Sequence, residues 1–389
     1  MKRNRLGRRG GLPRDAEQLL WLANGLADSS SRAEDHFWDL RLAAAVDHLL
    51  RTEDEDTLTT TLDHLSTASV HAYDELADMI ESRAEGALKS NEQQDILLIA
   101  APVMAWSRYR IPASPIAAAV MANLRVQLKA HVLASGVKLA LADFLFSPDQ
   151  LPQGYCATAD LATHIGHAAE NDSDLHIKTD NLPETAQFLS DNRYLLGAVI
   201  VPKGAPIFRW QEEDCTRDQA LEQWRAQGGA CIAPLLTGCA FEVVLPDAYF
   251  AASREADKMS RPYSIQASVA FLSTTLDAPA ANLRAVVAPF FERQVEEFRI
   301  GFTLRGQNDV VHGVVWPLLG AEDESVETLG QIEATLRACG ITDILVLDNE
   351  FPMEYCDDCG APMYPSPDGE AVHAELPEEQ AEQMPKHLH

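Results

Sequence analysis

The segment Cys356-Asp357-Asp358-Cys359-Gly360 limits the possible folds of this chain more than any other stretch of its sequence. Two cysteines separated by two residues can supply two thiolates to one tetrahedral metal ion. A glycine after the second cysteine permits a tight turn that directs backbone N–H groups towards the sulfur atoms. The segment therefore predicts half of a zinc site near the end of the chain.

Two further ligands are needed to complete such a site. Thirteen residues separate Cys359 from His373, and thirteen more separate His373 from His387. His389 and Cys339 are the alternatives for the fourth position, and a metal-free dithiol is the alternative to a zinc site. Four protein ligands leave no open position, so the zinc would be structural. The predicted ligands are Cys356, Cys359, His373 and His387.

The composition describes a chain that can bury a large core. It has 389 residues, of which 46% are apolar and 23% are charged, and this length fits two or three domains. No stretch of about 18 uninterrupted apolar residues occurs, so we expect no membrane contact. Seven cysteines is an odd number in a chain without a recognisable secretory signal. We therefore expect a cytoplasmic protein with free cysteines.

The net charge of −28 is distributed unevenly along the chain. The first 14 residues contain six cations and no acid, which leaves 25 cations and 59 acids in the remainder. An acidic body repels nucleic-acid phosphates, so DNA binding is not expected. The basic segment could contact ribosomal RNA, or it could be a disordered tail that only aids solubility. Its cations are Lys2, Arg3, Arg5, Arg8, Arg9 and Arg14.

Helical periodicity dominates residues 13–90, and strand-like runs begin at Asp95. Ser31 and Glu34 have the spacing of a capping box at the start of the second of four expected helices. Short connections predict that these helices pack as a bundle. Later helices are expected at 117–134, 156–170, 183–192, 216–227, 247–275 and 324–339. Strands are expected at 96–106, 138–146, 195–201, 207–210, 241–245 and 344–347, with an antiparallel meander at 283–291, 297–304 and 310–318.

The predicted fold class is α+β or α/β, with an N-terminal helical bundle, a mixed-sheet α/β core and a C-terminal zinc knuckle. Residues 133–137 resemble residues 337–341, since each is a helix end followed by glycine and an apolar run. This similarity suggests two related halves, although the pattern is common. The predicted divisions are a basic disordered tail (1–14), the helical bundle (15–94), a first α/β region (95–240), a second α/β region (241–350), and the knuckle with an acidic tail (351–389).

Five of the apolar runs end at a proline. Because proline has no N–H to donate to a ladder, each is expected to mark the end or edge of a strand. These prolines are Pro102, Pro202, Pro246, Pro289 and Pro317.

Polar side chains follow several of the expected strands. In open sheets of parallel strands this is where ligands bind, so these residues could converge in a cleft for a small polar or cationic metabolite. Helix capping and turn formation are the simpler explanation. The sequence lacks a Gly-rich phosphate loop, a nucleophile elbow and a His-Glu-x-x-His motif, and His312 is expected in the core. The strand-end residues are Arg108, Asp143, Lys203, Asp247, Glu322, Asp323 and Asp348.

Four stretches together resemble a bacterial family that is catalogued as a domain of unknown function. The resemblance spans nearly the full length and implies a bacterial cytoplasmic protein, without implying an activity. The stretches are residues 12–20 (LPRDAEQLL), 141–152 (LADFLFSPDQLP), 312–320 (HGVVWPLLG) and 356–365 (CDDCGAPMYP).

A second, local likeness covers residues 326–360. A helix, an apolar strand and Cys-x-x-Cys-Gly in this order are similar to the C-terminal domain of archaeal-type peptide-chain release factors and their ribosome-rescue relatives. The Gly-Gly-Gln motif of the release factors does not occur in this chain. The likeness therefore implies at most a ribosome-binding relative.

These observations predict a non-catalytic binding or adaptor protein with a structural zinc site. Its partner would be a macromolecule, either the ribosome or another protein. The alternative is an enzyme that acts on a small polar or cationic metabolite in a cleft at the strand ends.

Overall fold

The computed structural model describes residues 12–86, 93–213, 215–319, 322 and 326–377. The predicted tail residues 1–11 and the predicted ligands His387 and His389 lie outside these ranges. The α-helices are α1 (Arg14–Ala27), α2 (Arg32–Thr52), α3 (Glu55–Ala68), α4 (Val70–Glu85), α5 (Ala118–His131), α6 (Tyr155–Glu170), α7 (Arg217–Gln223), α8 (Gly229–Ile232), α9 (Tyr249–Thr275) and α10 (Val326–Ala338).

The strands form two larger sheets and one short hairpin. They are β1 (Gln94–Trp106), β2 (Ser114–Pro115), β3 (Lys138–Phe146), β4 (Ser190–Pro202), β5 (Ala240–Val243), β6 (Asp247–Ala248), β7 (Leu283–Phe291), β8 (Val295–Leu304), β9 (Val310–Pro317), β10 (Asp343–Val346), β11 (Phe351–Pro352), β12 (Tyr364–Pro365) and β13 (Ala371–Val372). This mixture of helices and sheets confirms the α+β class.

Helices α1–α4 pack around one apolar core, and side-chain caps fix where three of them begin. Ser31, Asp54 and Ser69 accept hydrogen bonds from the third backbone N–H of α2, α3 and α4 respectively. The Ser31 hydroxyl also donates to the Glu34 carboxylate at 3.0 Å. Only half of the predicted capping box is therefore formed, because this carboxylate contacts the hydroxyl instead of the backbone N–H of Ser31. The core residues include Leu19, Leu22, Leu42, Val46, Leu58 and Leu76.

The first sheet has the order β2-β3-β4-β1-β5, with β6 also beside β1. All of its strand pairs are antiparallel, and β1 pairs with β4 along thirteen residues. Successive side chains of a strand point to opposite faces of the sheet and therefore pack in two different cores. Leu139 and Leu141 face the layer that contains α5, whereas Ala140 and Ala142 face the layer that contains α6. Helices therefore cover both faces of this sheet.

The second sheet has the order β10-β7-β8-β9, with β11 also beside β7. Strands β7, β8 and β9 form the predicted antiparallel meander, and β10 runs parallel to β7. Helix α9 connects the two sheets, because Ala252 and Ala256 pack in the first and Ile265 and Leu272 pack in the second. No helix in the described ranges has the length and apolar character that a membrane crossing requires.

Two predicted elements are wrong. Residues 183–192 form no helix, because pairing with β1 extends β4 back to Ser190, beyond its apolar run. Residues 207–210 form no strand. The side chain of Gln211 accepts hydrogen bonds from the N–H groups of Ile207 and Phe208, and this local turn replaces a ladder.

Three of the five prolines do not end a strand, and one of them, Pro246, lies between β5 and β6. Pro102 lies within β1 opposite Tyr194, and Pro289 lies within β7 opposite Phe298. On its other side, β1 pairs with β6 before Pro102 and with β5 after it. Likewise β7 pairs with β10 before Pro289 and with β11 after it. A continuous neighbouring strand would need a backbone N–H at Pro102 and at Pro289, and proline has none. The neighbouring strand is therefore interrupted beside each of these two prolines.

The two glycine-containing segments that suggested related halves occupy different positions in their sheets. The first leads from α5 into β3, which pairs antiparallel with β4. The second leads from α10 into β10, which pairs parallel with β7. The likeness between residues 133–137 and 337–341 therefore reflects a shared helix-to-strand turn, in which Gly136 and Gly340 both have positive φ.

A carboxylate joins the end of α4 to the start of α9. Glu85 accepts a hydrogen bond from the N–H of Phe250 at 3.2 Å. Burial raises the pKa of Glu85 to about 7, and the nearby Glu81 carboxylate acts in the same direction. Between an unfolded pKa near 4.5 and this folded value, the folded state binds more protons than the unfolded state. Stability contributed by this group is therefore lost as pH rises through that window.

We predict that Glu85→Gln raises the free energy of unfolding by about 1–2 kcal/mol at pH 8 and leaves it unchanged at pH 4.5. Glutamine keeps the acceptor for Phe250 and removes the buried charge. Urea unfolding at the two pH values measures the difference, with Glu17→Gln on an exposed position of α1 as the control. An equal change at both pH values would contradict the assignment of the charge to Glu85.

Candidate metal centre

The C-terminal segment folds back on itself at the cysteine pair. Tyr355 forms a bridge with Pro362, and the N–H of Cys356 donates to the carbonyl of Ala361 at 2.8 Å. Within the turn, the N–H of Gly360 donates to the carbonyl of Cys356 at 2.8 Å. Gly360 has a φ of +73°, which a residue with a side chain adopts only at a cost. The glycine of the motif therefore has the conformational role that its position predicts.

A second hairpin returns the chain to the cysteines. Strand β12 pairs with β13, with Tyr364 opposite Val372. The turn between them is closed by hydrogen bonds from Ser366 N–H to the carbonyl of Glu370 and from Gly369 N–H to the carbonyl of Ser366. His373 directly follows β13, so this pairing carries its side chain to the cysteine turn.

The three side chains are close enough to share one metal ion. The ligand atoms of Cys356, Cys359 and His373 all lie within 4.8 Å of one another. Sγ of Cys359 is 3.3 Å from Nε2 of His373. Ligand atoms of a tetrahedral zinc site are about 3.3–3.8 Å apart, given its bond lengths. The arrangement is therefore compatible with three ligands of such a site.

The surroundings favour the metal-binding forms of two of these side chains. N–H groups of Cys359 and Asp358 donate to the sulfur of Cys356 and hold the pKa of this thiol below its usual value. Nδ1 of His373 lies 3.4 Å from a carboxylate oxygen of Glu375. A carboxylate on one ring nitrogen orients the other towards a metal, here Nε2 on the side of Cys359.

Arg299 attaches both hairpins to the second sheet. Its side chain is fully buried, and Nη1 donates to the carbonyls of Glu354 at 2.6 Å and Met363 at 2.8 Å. Nε donates to the carboxylate of Glu297 at 2.5 Å. The guanidinium also lies 4.2 Å from the ring centre of Phe290. Because Glu354 and Met363 flank the cysteine turn, this one side chain fixes both of its ends.

Two glycines in the sheet make room for the second hairpin. Gly301 in β8 and Gly313 in β9 are paired directly opposite each other. A Cβ on Gly301 would lie 2.3 Å from the carbonyl oxygen of Pro365, and one on Gly313 would lie 2.3 Å from the ring of Tyr364. Any larger residue at either position would push β12 off the sheet. The sequence pattern did not predict this contact, although an isolated glycine within a strand often marks the close approach of another backbone.

Cys339 is the one candidate for the fourth ligand that lies among the described residues. Cys339, at the end of α10, packs against the core of the second sheet and does not belong to the cluster. Burial raises the pKa of its thiol, which disfavours the metal-binding thiolate. His387 and His389 lie outside the described residues. The described part of the chain thus brings together three of the four predicted ligands.

Two of the polar residues at the strand ends, Arg108 and Lys203, do not converge. Pro202 pairs with Gln94 at the start of β1, whereas Arg108 follows the end of β1. Lys203 and Arg108 therefore lie at opposite ends of a strand pair about 40 Å long. The expectation of a shared cleft is wrong for these residues, since the first sheet is antiparallel.

Three of the described strand-end residues already have partners in the structure. Asp143 accepts a hydrogen bond from the N–H of Ile177, Asp247 pairs with Arg217, and Glu322 pairs with the buried Arg261. An open groove of about 830 Å³ lies beside α2, and none of the strand-end residues that the structure describes lines it. The turn and capping interpretation therefore accounts for these side chains better than a cleft does.

His312 packs between α9 and the second sheet, as predicted. Its Nε2 lies 3.0 Å from the hydroxyl of Ser268, and its ring is 5.6 Å from that of Phe271. Burial lowers the pKa of His312 to about 4, so the ring is neutral at pH 7.

Comparison with known proteins adds a family and no activity. A family model described as "Protein of unknown function (DUF2863)" matches residues 4–387, nearly the whole chain. No curated protein and no solved structure matches the chain.

We predict that Arg299→Met lowers the free energy of unfolding by about 3–5 kcal/mol, because it leaves the Glu297 carboxylate and two carbonyls without their donor. Urea unfolding measures this loss, and hydrogen exchange should show faster exchange at residues 353–365. Arg305→Met is the control, since Arg305 is 58% exposed in its ion pair and should cost less than about 1 kcal/mol. Equal effects of the two substitutions would show that Arg299 does not hold the hairpins.

Proposed function

Since this chain belongs to the family described as "Protein of unknown function (DUF2863)", a description that names no activity, we propose its function from its own geometry. We propose that it is a non-catalytic binding or adaptor protein whose C-terminal segment is held by a structural zinc ion. The observation that carries this proposal is the cluster of Cys356, Cys359 and His373 within 4.8 Å.

Zinc is the metal that suits this donor set best. Two thiolates and an imidazole are soft and borderline ligands, which favour zinc over magnesium or calcium. His387 or His389 would supply the fourth ligand. With four protein ligands the ion would have no bound water to activate, and it would act by joining the strand that ends at His373 to the cysteine turn.

The basic N-terminal segment is the feature that points to a partner. It concentrates cations at one end of a chain whose net charge is −28. Such a segment can bind a phosphate-rich surface while the acidic body avoids general nucleic-acid binding. The ribosome is the partner we propose, with another protein as the alternative, and both fit a cytoplasmic location. The enzyme alternative has weaker support, because Arg108 and Lys203 lie far apart and because Asp247 and Glu322 are already paired.

We predict that the purified protein contains about one zinc ion per chain and that Cys356→Ser removes it. The loss should lower the melting temperature by several degrees, because metal binding to the folded state contributes to its stability. Elemental analysis and thermal unfolding with and without a chelator measure the two effects. Cys215→Ser is the control, because this cysteine lies outside the cluster. A metal-free protein that is equally stable with a chelator would refute the zinc site.

We predict that the protein co-sediments with ribosomes at low salt, and that binding falls steeply between 50 and 200 mM salt. Deleting residues 1–11 should abolish binding, because it removes five of the six cations and leaves α1 intact. The metal content of the shortened chain serves as a check that the rest is folded. Binding that is independent of salt and of this segment would exclude the basic segment as the contact.

A further inference from the structure

The first three turns of α2 are largely exposed to solvent. Residues 32–41 are all exposed except Trp38, whereas the later residues Leu42, Val46, Leu49 and Leu50 are buried. The helix has 21 residues and is about 31 Å long, which is longer than its neighbour α1 of 14 residues. Its N-terminal half is therefore accessible from solvent over most of its circumference.

This exposed half carries an apolar stripe at helical spacing. Ala33, Phe37, Leu40 and Ala44 occur at positions i, i+4, i+7 and i+11, and all four are exposed. Phe37 is 43% exposed and Leu40 is 55% exposed. Because the buried residues of α2 lie on the opposite face of the helix, the bundle does not explain this second stripe. Apolar spacing of four, three and four residues is the seam pattern of a coiled coil.

Aromatic side chains extend the apolar surface towards α1. The ring of Trp38 packs edge-on against Phe37 at 5.0 Å and against Trp21 at 4.9 Å. Trp21 is 58% exposed, and the guanidinium of Arg41 lies 3.8 Å from the ring centre of Phe37. A contiguous exposed patch of this kind marks an interaction site more often than single apolar residues do.

We infer that two copies of this chain associate through α2, with the two helices antiparallel. The stripe has the same pattern in both directions, since small, large, large and small residues follow one another. In an antiparallel pair with its twofold axis between Phe37 and Leu40, Phe37 of one copy packs against Leu40 of the other. Ala33 then lies opposite Ala44, where two small residues let the helices approach closely. This is the isologous contact that closed dimers use.

Charges beside the stripe favour a second copy as the occupant. Glu34 and Arg41 are seven residues apart, so they lie on the same side of the stripe. In the antiparallel pair, Glu34 of one copy lies near Arg41 of the other, and symmetry repeats this pair. The net charge of −28 on each copy opposes association, but about 0.15 M salt screens charges beyond about 8 Å. The dimer should therefore be weaker at low salt than at physiological salt.

Sedimentation velocity of the full chain, from about 1 to 200 µM in 0.15 M salt, tests the inference. We expect a concentration-dependent dimer whose dissociation constant rises at least tenfold for Phe37→Ser and for Leu40→Ser. Val126→Ser is the matched control, because Val126 is 59% exposed on α5, and it should leave the dimer unchanged. A monomer over the whole range, or a dimer that the α2 substitutions do not weaken, would overturn the inference.

Charge reversal tests the proposed register. Arg41→Glu and Glu34→Arg should each weaken the dimer, and the double substitution should restore it. Because Glu34 also accepts from the Ser31 hydroxyl at the start of α2, circular dichroism of each variant checks that α2 is still formed. Failure of the double substitution to restore association, with α2 intact, would overturn the proposed pairing.

Cross-linking tests the orientation. A chain with both Ala33→Cys and Ala44→Cys should form a disulfide-linked dimer under mild oxidation, and neither single variant should do so beyond the background of the parent chain. Efficient cross-linking by a single variant would indicate parallel helices and would overturn the antiparallel pairing. The proposed dimer contact uses none of the residues of the cysteine cluster. The dimer and the zinc site can therefore each be refuted without affecting the other.

Discussion

The second half of this structure depends on a positive charge that has no access to water. The guanidinium of Arg299 is fully buried and is stabilised by a carboxylate, two carbonyls and an aromatic face. Burying a charge is costly unless the charge is paired and hydrogen-bonded. Two of the hydrogen-bond partners of Arg299 belong to the C-terminal segment. The sheet therefore supplies the buried cation, and the C-terminal segment supplies two of its acceptors. These hydrogen bonds hold the cysteine turn against β8 independently of a metal ion.

The metal cluster is formed by strand pairing as much as by the cysteine motif. Two cysteines in one turn are close in any conformation that forms the turn, but His373 is near them only because β12 pairs with β13. That hairpin lies against the sheet because Gly301 and Gly313 face each other and leave room for it. Helix α2 has two apolar faces. One face packs in the core of the helical bundle, and the opposite face is exposed.

Most elements could be predicted from the sequence because their periodicity is strong, as it is in α2, β3 and the β7–β9 meander. Strand direction could not be predicted for the first sheet, because an apolar run has the same appearance in a parallel and an antiparallel sheet. For that reason the sequence left open a cleft shared by Arg108 and Lys203, which lie at opposite ends of the β1–β4 pair. The three residues of the candidate metal site, Cys356, Cys359 and His373, were identifiable from residue type and spacing. The roles of Arg299 and of the paired glycines depend on contacts between distant segments, which one sequence does not encode in any local pattern.

The interruption at Pro289 separates the C-terminal segment from the rest of its sheet. On the side of β7 that faces away from β8, only β11, with two residues, continues the pairing beyond this gap. The residues from 351 to 373 are therefore connected to the sheet through few backbone hydrogen bonds and can form a separate unit of local unfolding. Opening of such a unit would remove two carbonyl acceptors from the buried Arg299, so it would cost more than the short pairing of β11 suggests. The interruption at Pro289 thus limits the backbone contact of this segment, and the guanidinium compensates for that limit.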